Sequence, residues 1–319
     1  MKRPRPLSPS GLAVVAVAAL VLAVGTAAGT AALTASAVTA TAPVRVSTAG
    51  FPAGGGDPGI FTDSCTRSTT APNDPIMMPG MTGMSMQHDF FGNTVVVASS
   101  TAATLRGGAT TCSTGADASA YWTPVVYQHG AALVPSRTLL YWRAPSGIAS
   151  ATQAMPEGIS LIAGDETATA PQAVSVVDWT CTTTAQDPKP TRAALPHDCS
   201  GGSQLRLVIT FPNCWDGRTM DGRDRSGAVY ASTTGCPASH PVQIPQIVLH
   251  VTYPTASGEG ITLSTGPQTQ GPPVTGHADF VDGWQQQRMA ADVTACVDAQ
   301  VRCGPVRGAD AVPQGGKVR

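Results

Sequence analysis

Charged residues are scarce in this chain, making up 12% of its 319 residues, and its only lysines are Lys2, Lys189 and Lys317. The formal net charge is −1. Binding to nucleic acid or to an acidic membrane surface relies on an excess of basic side chains, so this composition excludes both partners. Aromatic residues are also few, at 5%, whereas glycine (34) and proline (27) are abundant. That combination favours short strands joined by turns over long helices.

An export signal is predicted in residues 1–37. Basic residues at the start precede an uncharged Ala/Val/Leu run at 11–25, and Ala35-Ser36-Ala37 is a candidate cleavage site. The apolar stretch continues past Leu33, and about 20 apolar residues can cross a bilayer, so a retained membrane anchor is the alternative. Either outcome places the rest of the chain outside the cytoplasm, with membrane contact only through this segment.

The cysteine content fits that destination, because disulfides persist in an oxidising compartment. The chain has 8 cysteines and no Cys-x-x-Cys pair. The simplest connectivity joins nearest neighbours and closes four local loops: Cys65 with Cys112, Cys181 with Cys199, Cys214 with Cys236, and Cys296 with Cys303. A zinc site is the minor alternative, because the Cys/His spacings do not suit one.

The pattern between 61 and 303 is mainly β, after a Gly/Pro-rich linker at 38–60 and before a mobile tail at 304–319. Runs rich in Val, Ile, Thr and Tyr, bounded by turn residues, predict eight strands: 94–98, 123–127, 139–143, 159–162, 173–179, 204–211, 246–253 and 261–264. Gln128-His129-Gly130 is predicted to be a turn, and apolar spacing predicts one helix over 282–297. We therefore expect a single β-sandwich-like antiparallel domain with long loops and one C-terminal helix, stapled by disulfides.

Residues 74–93 contain an unusual concentration of methionine. Five methionines fall within ten positions: Met77, Met78, Met81, Met84 and Met86. Prolines and glycines break any helical or strand period there, so the stretch is predicted to be a loop that packs against something or binds something.

Several short motifs beside this loop place polar side chains next to Gly, Pro or Cys, as functional loops often do. In order they are Asp74-Pro75-Ile76, His88-Asp89-Phe90-Phe91-Gly92-Asn93, Tyr121-Trp122-Thr123-Pro124, Ile162-Ala163-Gly164-Asp165, Pro212-Asn213-Cys214-Trp215-Asp216-Gly217, Cys236-Pro237 with His240-Pro241, and Gly276-His277-Ala278-Asp279-Phe280 with Gly283-Trp284. This series resembles the DUF1996 family of secreted fungal and actinobacterial proteins, which has no settled activity. The resemblance spans roughly 74–297 and implies an extracellular domain of the kind found near carbohydrate-binding or wall-associated modules.

The chain departs from the family pattern in two places. A His-x-His pair precedes Phe-Phe-Gly-Asn in the family, whereas Met86 occupies the first of those positions here. Family members carry a histidine near a Ser-His-Met-Ala-Tyr-Pro run, whereas this chain reads Arg-Ser-Gly-Ala-Val-Tyr at 225–230. The ionisable residues left at matching places are His88, His240, His277, Asp89, Asp216 and Asp279.

One hypothesis is acid–base chemistry on an extracellular polysaccharide. Two carboxylates flanking a glycosidic bond, or a His/Asp pair, can move the protons that such chemistry needs. Asp216 and Asp279 form the candidate pair, with His88 and His277 as partners, in a groove where the 86–93, 214–217 and 276–280 loops converge. Asp89 and Asp279 would orient their neighbouring histidines. The alternatives are a turn-capping role for Asp216 and structural roles for the histidines.

Non-catalytic glycan binding is a second hypothesis. Aromatic rings offer flat apolar faces on which sugars stack, and Tyr121, Trp122, Trp142 and Trp215 are the candidates, with His240 beside them. Burial of these rings in the core is the competing interpretation.

A copper site is the third hypothesis, although no cofactor is the default expectation. Thioether sulfur favours Cu(I), and Met81, Met84, Met86 and His88 occur close together. Methionine as an adaptable core filler is the commoner use. A serine hydrolase is disfavoured because the chain has no Gly-x-Ser-x-Gly motif. The preferred function is recognition or processing of an extracellular glycan, with enzyme status left open.

Overall fold

The computed structural model describes residues 59–144, 151–182, 198–199 and 201–305. The predicted export segment, nearly all of the predicted linker and the chain beyond 305 lie outside the described residues. At both ends the strands extend slightly past the predicted 61–303 domain, because the first begins at Ile60 and the last ends at Pro305. No helix within the described ranges is both long enough and apolar enough to cross a bilayer.

Short strands dominate the described ranges. In chain order they are β1 (Ile60–Cys65), β2 (Arg67–Ala71), β3 (His88–Gly92), β4 (Ala120–Pro124), β5 (Val126–Gln128), β6 (Ala131–Ala132), β7 (Arg137–Arg143), β8 (Ser160–Gly164), β9 (Val177–Cys181), β10 (Leu205–Thr210), β11 (Cys214–Trp215), β12 (Ala228–Val229), β13 (Val242–Gln243), β14 (Gln246–Thr252), β15 (Ile261–Ser264), β16 (Gln270–Gly271), β17 (His277–Val281) and β18 (Arg302–Pro305). The helices are α1 (Ala102–Leu105) and α2 (Gln286–Asp292), and a π-helical turn at Val293–Asp298 continues α2.

Two larger sheets form the body of the domain. One has the strand order β18-β1-β7-β14-β10-β9 and the other β2-β3-β4-β17-β8. Neighbouring strands pair antiparallel, except that β1 and β18 are parallel. Two smaller sheets, β12-β11-β13 and β16-β15-β5-β6, complete the fold. The predicted mainly β, antiparallel sandwich with one C-terminal helix is confirmed.

Aromatic side chains from both larger sheets fill the main core. The ring of Trp142 on β7 lies 5.8 Å from that of Phe280 on β17 and 5.6 Å from that of Trp284. Phe61 on β1 stacks on Trp142 at 5.7 Å. A second, smaller apolar cluster covers the opposite face of the β2-β3-β4-β17-β8 sheet, and it includes Ile76, Phe90, Val96, Leu105 and Trp122. This sheet is therefore buried on both faces.

Four disulfides join the eight cysteines as nearest neighbours, which is the predicted connectivity. The sequence separations range from 7 residues, for Cys296–Cys303, to 47, for Cys65–Cys112. Each bridge restricts the unfolded chain and typically adds about 2–4 kcal/mol to stability. Four disulfides fit an extracellular destination, while secretion itself stays a prediction.

The predicted strand 123–127 is in fact the end of β4 and the start of β5, with Val125 outside both, and the strand predicted from 173 begins only at Val177. The predicted strand 94–98 is wrong. Side chains compete for its backbone, since Oδ1 of Asn93 accepts from Val95 N at 3.0 Å and Oγ of Ser100 accepts from Val97 N at 2.9 Å. Such bonds draw N–H groups away from a strand ladder. The predicted helix begins at Gln286 rather than at residue 282. Asp282 lies in the turn before it, where its side chain accepts from Trp284 N and from the distant Gly158 N.

The predicted turn at Gln128-His129-Gly130 joins β5 to β6. His129 (φ 50°) and Gly130 (φ 83°) are both left-handed, as a tight hairpin turn demands. The sequence also failed to predict several strands, among them β1, β2, β3 and β17. The last two matter most, because they carry His88, His277 and Asp279 in stretches that were expected to be loops.

Candidate functional site

The register of β3, β4 and β17 places three ionisable side chains on one face of their sheet. Trp122 on β4 pairs with Phe90 on β3 and with Asp279 on β17. Residues two apart on a strand point to the same face. His88 therefore shares a face with Phe90, and His277 shares that same face with Asp279. It is the face away from the main core, which the methionine loop at 74–86 partly covers.

Both histidines are held in the same way. Nδ1 of His88 lies 2.9 Å from the carbonyl oxygen of Asn73, and Nδ1 of His277 lies 2.9 Å from that of Thr275. A carbonyl oxygen can only accept, so Nδ1 carries the proton in each ring and Nε2 keeps a free lone pair. The two rings are 5.8 Å apart and nearly perpendicular, at 89°.

Asp279 completes a compact cluster with these histidines. Its Oδ2 lies 3.9 Å from Nε2 of His277, and one potential ligand atom from each of the three residues lies within 4.8 Å of the other two. Within the described residues, Nε2 of His88 and Oδ2 of Asp279 have no hydrogen-bond partner. The two residues are 0% and 1% exposed, respectively. Buried polar atoms are nearly always bonded, so these atoms mark a place where a ligand would satisfy them.

Burial disfavours the charged forms of all three side chains. It lowers the pKa of His88 to about 3, with the neighbouring His277 adding to the effect. Burial also lowers the pKa of His277. It raises the pKa of Asp279 well above its usual value, and the carboxylates of Asp74 and Glu166 raise it further. Two neutral imidazoles are in the state that binds metal ions.

A cavity of about 380 Å³ opens beside the cluster. Its walls are formed by the methionine loop on one side and by the segments at 166 and 265–267 on the other. The lining residues are Asp74, Met77, Met78, Met84, Ser85, Met86, Glu166, Thr265, Gly266, Pro267, His277 and Asp279. Glu166 is not free, because the Arg225 guanidinium donates to its carboxylate and to the carbonyl of Gly164.

The methionine loop is tied down although it has little regular structure. Gly80 N donates to Ala98 O at 2.8 Å, and Ser85 N donates to Pro72 O at 3.2 Å. Asn73 links the loop to the cluster, because its Oδ1 accepts from Gly83 N at 3.2 Å while its carbonyl holds His88. The sulfur atoms are therefore presented from a fixed backbone.

Two imidazoles and a carboxylate form one of the recurring ligand sets for transition metals in proteins. Three protein ligands leave at least one coordination position for water or substrate. The second grouping of possible ligands, at Asp63, Cys65, Cys112 and Asp117, is not comparable, since both of its cysteines are in a disulfide.

A family profile described as "Domain of unknown function (DUF1996)" matches residues 74–284. The chain belongs to the DUF1996 family. The matched range contains His88, His277, Asp279 and all the methionines of the cavity wall. Comparison with the curated proteins gives no match, and comparison with the solved structures gives none either.

The catalytic pair hypothesised from the sequence, Asp216 and Asp279, is not formed in this DUF1996 domain. Oδ1 of Asp216 accepts from Arg218 N at 2.9 Å and from Thr219 N at 2.8 Å, while Oδ2 accepts from Thr219 Oγ1 at 2.7 Å. Although desolvation acts to raise it, these bonds hold the pKa of Asp216 well below its usual range. None of residues 214–217 lines the cavity. Asp216 caps a turn. Of the three segments expected to converge, 86–93 and 276–280 lie together, and they form mainly β3 and β17 rather than loops.

Asp89 also differs from its expected role of orienting His88. It follows His88 on β3 and therefore points to the opposite face. There it accepts from Thr70 Oγ1 at 2.5 Å and lies 3.6 Å from Nη1 of Arg67. The orienting groups for the two histidines are backbone carbonyls, and Asp279 sits beside His277 without a hydrogen bond to it.

The predicted sugar-stacking face is not formed, because the rings are in the cores. Tyr121, Trp122 and Trp142 are each 0% exposed. Trp215 is half-buried and its Nε1 donates to Thr219 O at 2.7 Å. His240 does not line the cavity, and its Nε2 donates to the carbonyl oxygen of Ser226 at 2.7 Å. The large rings supply core volume that few other side chains here provide.

Sequence reasoning missed Asn73, Glu166 and Arg225, and it quoted Asp74 only as part of a motif. Asp74 shapes the wall, since its Oδ1 accepts from Ile76 N at 3.0 Å and from Met77 N at 2.8 Å. A side-chain acceptor bonded to N–H groups two and three positions ahead is the local signal that could have found it.

Replacing Asp74 with alanine is expected to lower the free energy of unfolding by about 1–2 kcal/mol, because two buried N–H groups lose their acceptor. Asp74→Asn is the matched control. The asparagine side chain keeps an acceptor oxygen for the two N–H groups. It also removes a carboxyl whose pKa is raised by burial. The loss of unfolding free energy should therefore be less than half of that caused by alanine. Urea denaturation of both variants measures the difference. Equal losses would mean that the charge, not the hydrogen bonding, holds the loop.

Proposed function

We propose that this protein binds a transition-metal ion in the cavity, with Nε2 of His88, Nε2 of His277 and a carboxylate oxygen of Asp279 as ligands. The observation that carries the proposal is the convergence of buried polar atoms that no group in the described part of the chain satisfies. Leaving a buried polar group unbonded costs about 1–3 kcal/mol, and a bound ion would remove that cost at both atoms.

The hydrogen bonds that orient the two imidazoles favour the same conclusion. Metal-binding histidines almost always donate their other ring N–H to a carbonyl or carboxylate, which fixes the tautomer and aims the lone pair. His88 and His277 both do so, through Asn73 and Thr275. Ligand atoms around a four-coordinate ion lie roughly 3.3–3.6 Å apart at usual bond lengths. The 3.9 Å between His277 and Asp279 needs only a small side-chain adjustment.

Recognition or processing of an extracellular glycan stays a prediction from family context. Its two structural supports, an exposed aromatic face and a pair of facing carboxylates, are missing among the described residues. An ion with an open coordination position can polarise a substrate oxygen or activate water, so metal binding leaves an enzymatic role open.

Replacing His88 with alanine is expected to weaken binding of Co(II) and Zn(II) by more than about 100-fold, since loss of an outer-shell partner alone costs 10- to 100-fold. The full chain is stripped with a chelator and titrated with each ion, following the Co(II) absorption bands and the heat of Zn(II) binding. Saturating Zn(II) should also raise the melting temperature of the wild type, because ligands that bind only the folded state stabilise it.

Two other variants serve as matched controls. His240→Ala removes an imidazole and Asp216→Ala removes a carboxylate, both outside the cavity lining, so affinity should stay within about twofold of the wild type. If the wild type binds neither ion, or if His88→Ala and His240→Ala bind equally well, the proposed centre does not exist.

A further inference from the structure

We infer that the ion this centre selects is copper(I), and that the methionine loop is its entrance and its soft-ligand wall. The inference rests on the proposed function, since it names the ion for the same His88, His277 and Asp279 cluster.

Methionine is the most frequent residue type around the cavity. Met77, Met78, Met84 and Met86 all line it, together with the imidazole of His277. Thioethers favour Cu(I) over Zn(II), Fe(II) and Mn(II), whereas imidazole accommodates most of these metals. Copper is the first-row metal that suits both donor types.

Burial does not explain why these residues are methionines. Met77 is 37% exposed and Met84 is 57% exposed, and Met81 in the adjoining turn is 47% exposed. A methionine that serves as an adaptable core filler is covered by its neighbours, as Met155 is at 0%. The exposed thioethers that also line the cavity, Met77 and Met84, instead lie between solvent and the buried cluster.

The carboxylates that would attract a harder ion are already engaged. Oδ1 of Asp74 accepts from two backbone N–H groups, and Glu166 is paired with Arg225. Asp279 is the cavity-lining carboxylate that has a fully buried oxygen, Oδ2, without a hydrogen-bond partner among the described residues. Mg(II), Ca(II) and Mn(II) prefer several oxygen ligands, so the engaged carboxylates count against them.

Met86 is the residue whose replacement separates the alternatives best. It lies two positions before His88, is half-buried and lines the same cavity as His277 and Asp279. Met86→Leu keeps the volume and removes the sulfur, while Met86→His adds an imidazole, which Zn(II) and Co(II) bind as readily as copper.

The test is a competition titration of the chelator-stripped full chain with Cu(I), anaerobically in ascorbate, against a colorimetric Cu(I) chelator. Met86→Leu and Met84→Leu are each expected to weaken Cu(I) binding about 10-fold or more while leaving Zn(II) and Co(II) affinity within about twofold. Met86→His should reverse the preference and strengthen Zn(II) binding. Met155→Leu, in the main core, is the matched control and should change neither affinity.

The outcomes separate this inference from the proposed function. Zn(II) or Co(II) binding that depends on His88, combined with Cu(I) binding that the methionine substitutions do not weaken, would overturn the choice of copper and leave the metal centre standing. Failure of all three ions to bind would overturn both. Cu(I) binding that falls with each of the two methionine substitutions, at unchanged melting temperature, supports both.

Discussion

Replacing Asp117 with asparagine is expected to make the stability of this protein fall less steeply between pH 5 and pH 7. Asp117 is fully buried beside a second carboxyl, Asp63. Burial, with a smaller contribution from the negative charge on Asp63, raises the pKa of Asp117 to about 8. Burial raises the pKa of Asp63 to about 6.

Hydrogen bonding decides which of the two carboxyls carries the charge. Oδ1 of Asp63 accepts from Ser64 N at 2.7 Å and from Ser113 N at 2.9 Å, which suits an ionised group. Asp117 accepts from the Tyr121 hydroxyl at 2.7 Å and from Ser119 N at 3.0 Å. Two buried carboxyls this close cannot both ionise cheaply, so the pair holds a proton that belongs mainly to Asp117.

The sign of the pH dependence follows from the raised pKa. Between about pH 4 and pH 8 the folded state keeps a proton on Asp117 that the unfolded chain releases. The stability is therefore greatest below the pKa that Asp117 has in the unfolded chain, and it falls as the pH rises. One such group contributes about 1.4 kcal/mol per pH unit over that range. Asparagine mimics the protonated acid and does not titrate. The difference in unfolding free energy between the variant and the wild type should therefore grow by about 2–3 kcal/mol from pH 5 to pH 7.

Urea denaturation at several pH values measures this difference directly. Asp221→Asn, at an exposed residue, controls for the loss of a negative charge and should give a curve parallel to the wild type. Parallel curves for Asp117→Asn would show that Asp117 is ionised in the folded protein and that the carboxyl pair holds no extra proton.

His88 and Asp89 show most clearly how much of the candidate site could be predicted from the sequence. The motif identified both as candidates, and the cluster of His88, His277 and Asp279 was predicted in part. The expectation of a loop through residue 93 hid the fact that β3 begins at His88. On a strand, adjacent side chains point to opposite faces, so His88 joins the cavity cluster while Asp89 pairs with Thr70 behind the sheet.

Local secondary structure was easier to predict than contacts between residues that are distant in sequence. β15 at Ile261–Ser264 has the predicted bounds, and β14 and β10 agree to within a residue, because runs of β-branched and apolar residues specify such strands directly. Glu166 and Arg225 meet across 59 positions in sequence, and only the packing of β8 against the 222–227 turn brings them together. The tryptophans were ambiguous for a similar reason, since a ring suited to a sugar is equally suited to a core.

Replacing Gly164 with alanine is expected to damage the proposed metal site and the fold together. Gly164 ends β8 with φ +82°, and a Cβ there would lie 2.5 Å from the carbonyl oxygen of Gly276 and 2.8 Å from Cα of His277. Both are backbone atoms, so relief requires β17 to move away from β8 and carry the His277 imidazole with it. The carbonyl of Gly164 also accepts from Arg225, which positions Glu166.

Gly130→Ala is the matched control for backbone strain. Gly130 has nearly the same φ, +83°, but nothing lies within 4 Å of an added Cβ. A left-handed alanine costs about 1–2 kcal/mol, so Gly130→Ala should lose that amount of stability and bind metal normally. Gly164→Ala adds an overpacking cost of about 1–3 kcal/mol, for a total of roughly 2–5 kcal/mol.

Denaturation and Zn(II) titration of the two variants separate the causes. Displacement of a ligand's support typically costs 10- to 100-fold in metal affinity, so Gly164→Ala should bind Zn(II) at least about 10-fold more weakly than Gly130→Ala. If the two variants lose the same stability and retain equal affinity, the close approach of β8 to His277 is not what fixes the imidazole. A Gly164→Ala variant that is destabilised but binds normally would instead mean that Thr275 alone holds His277 in place.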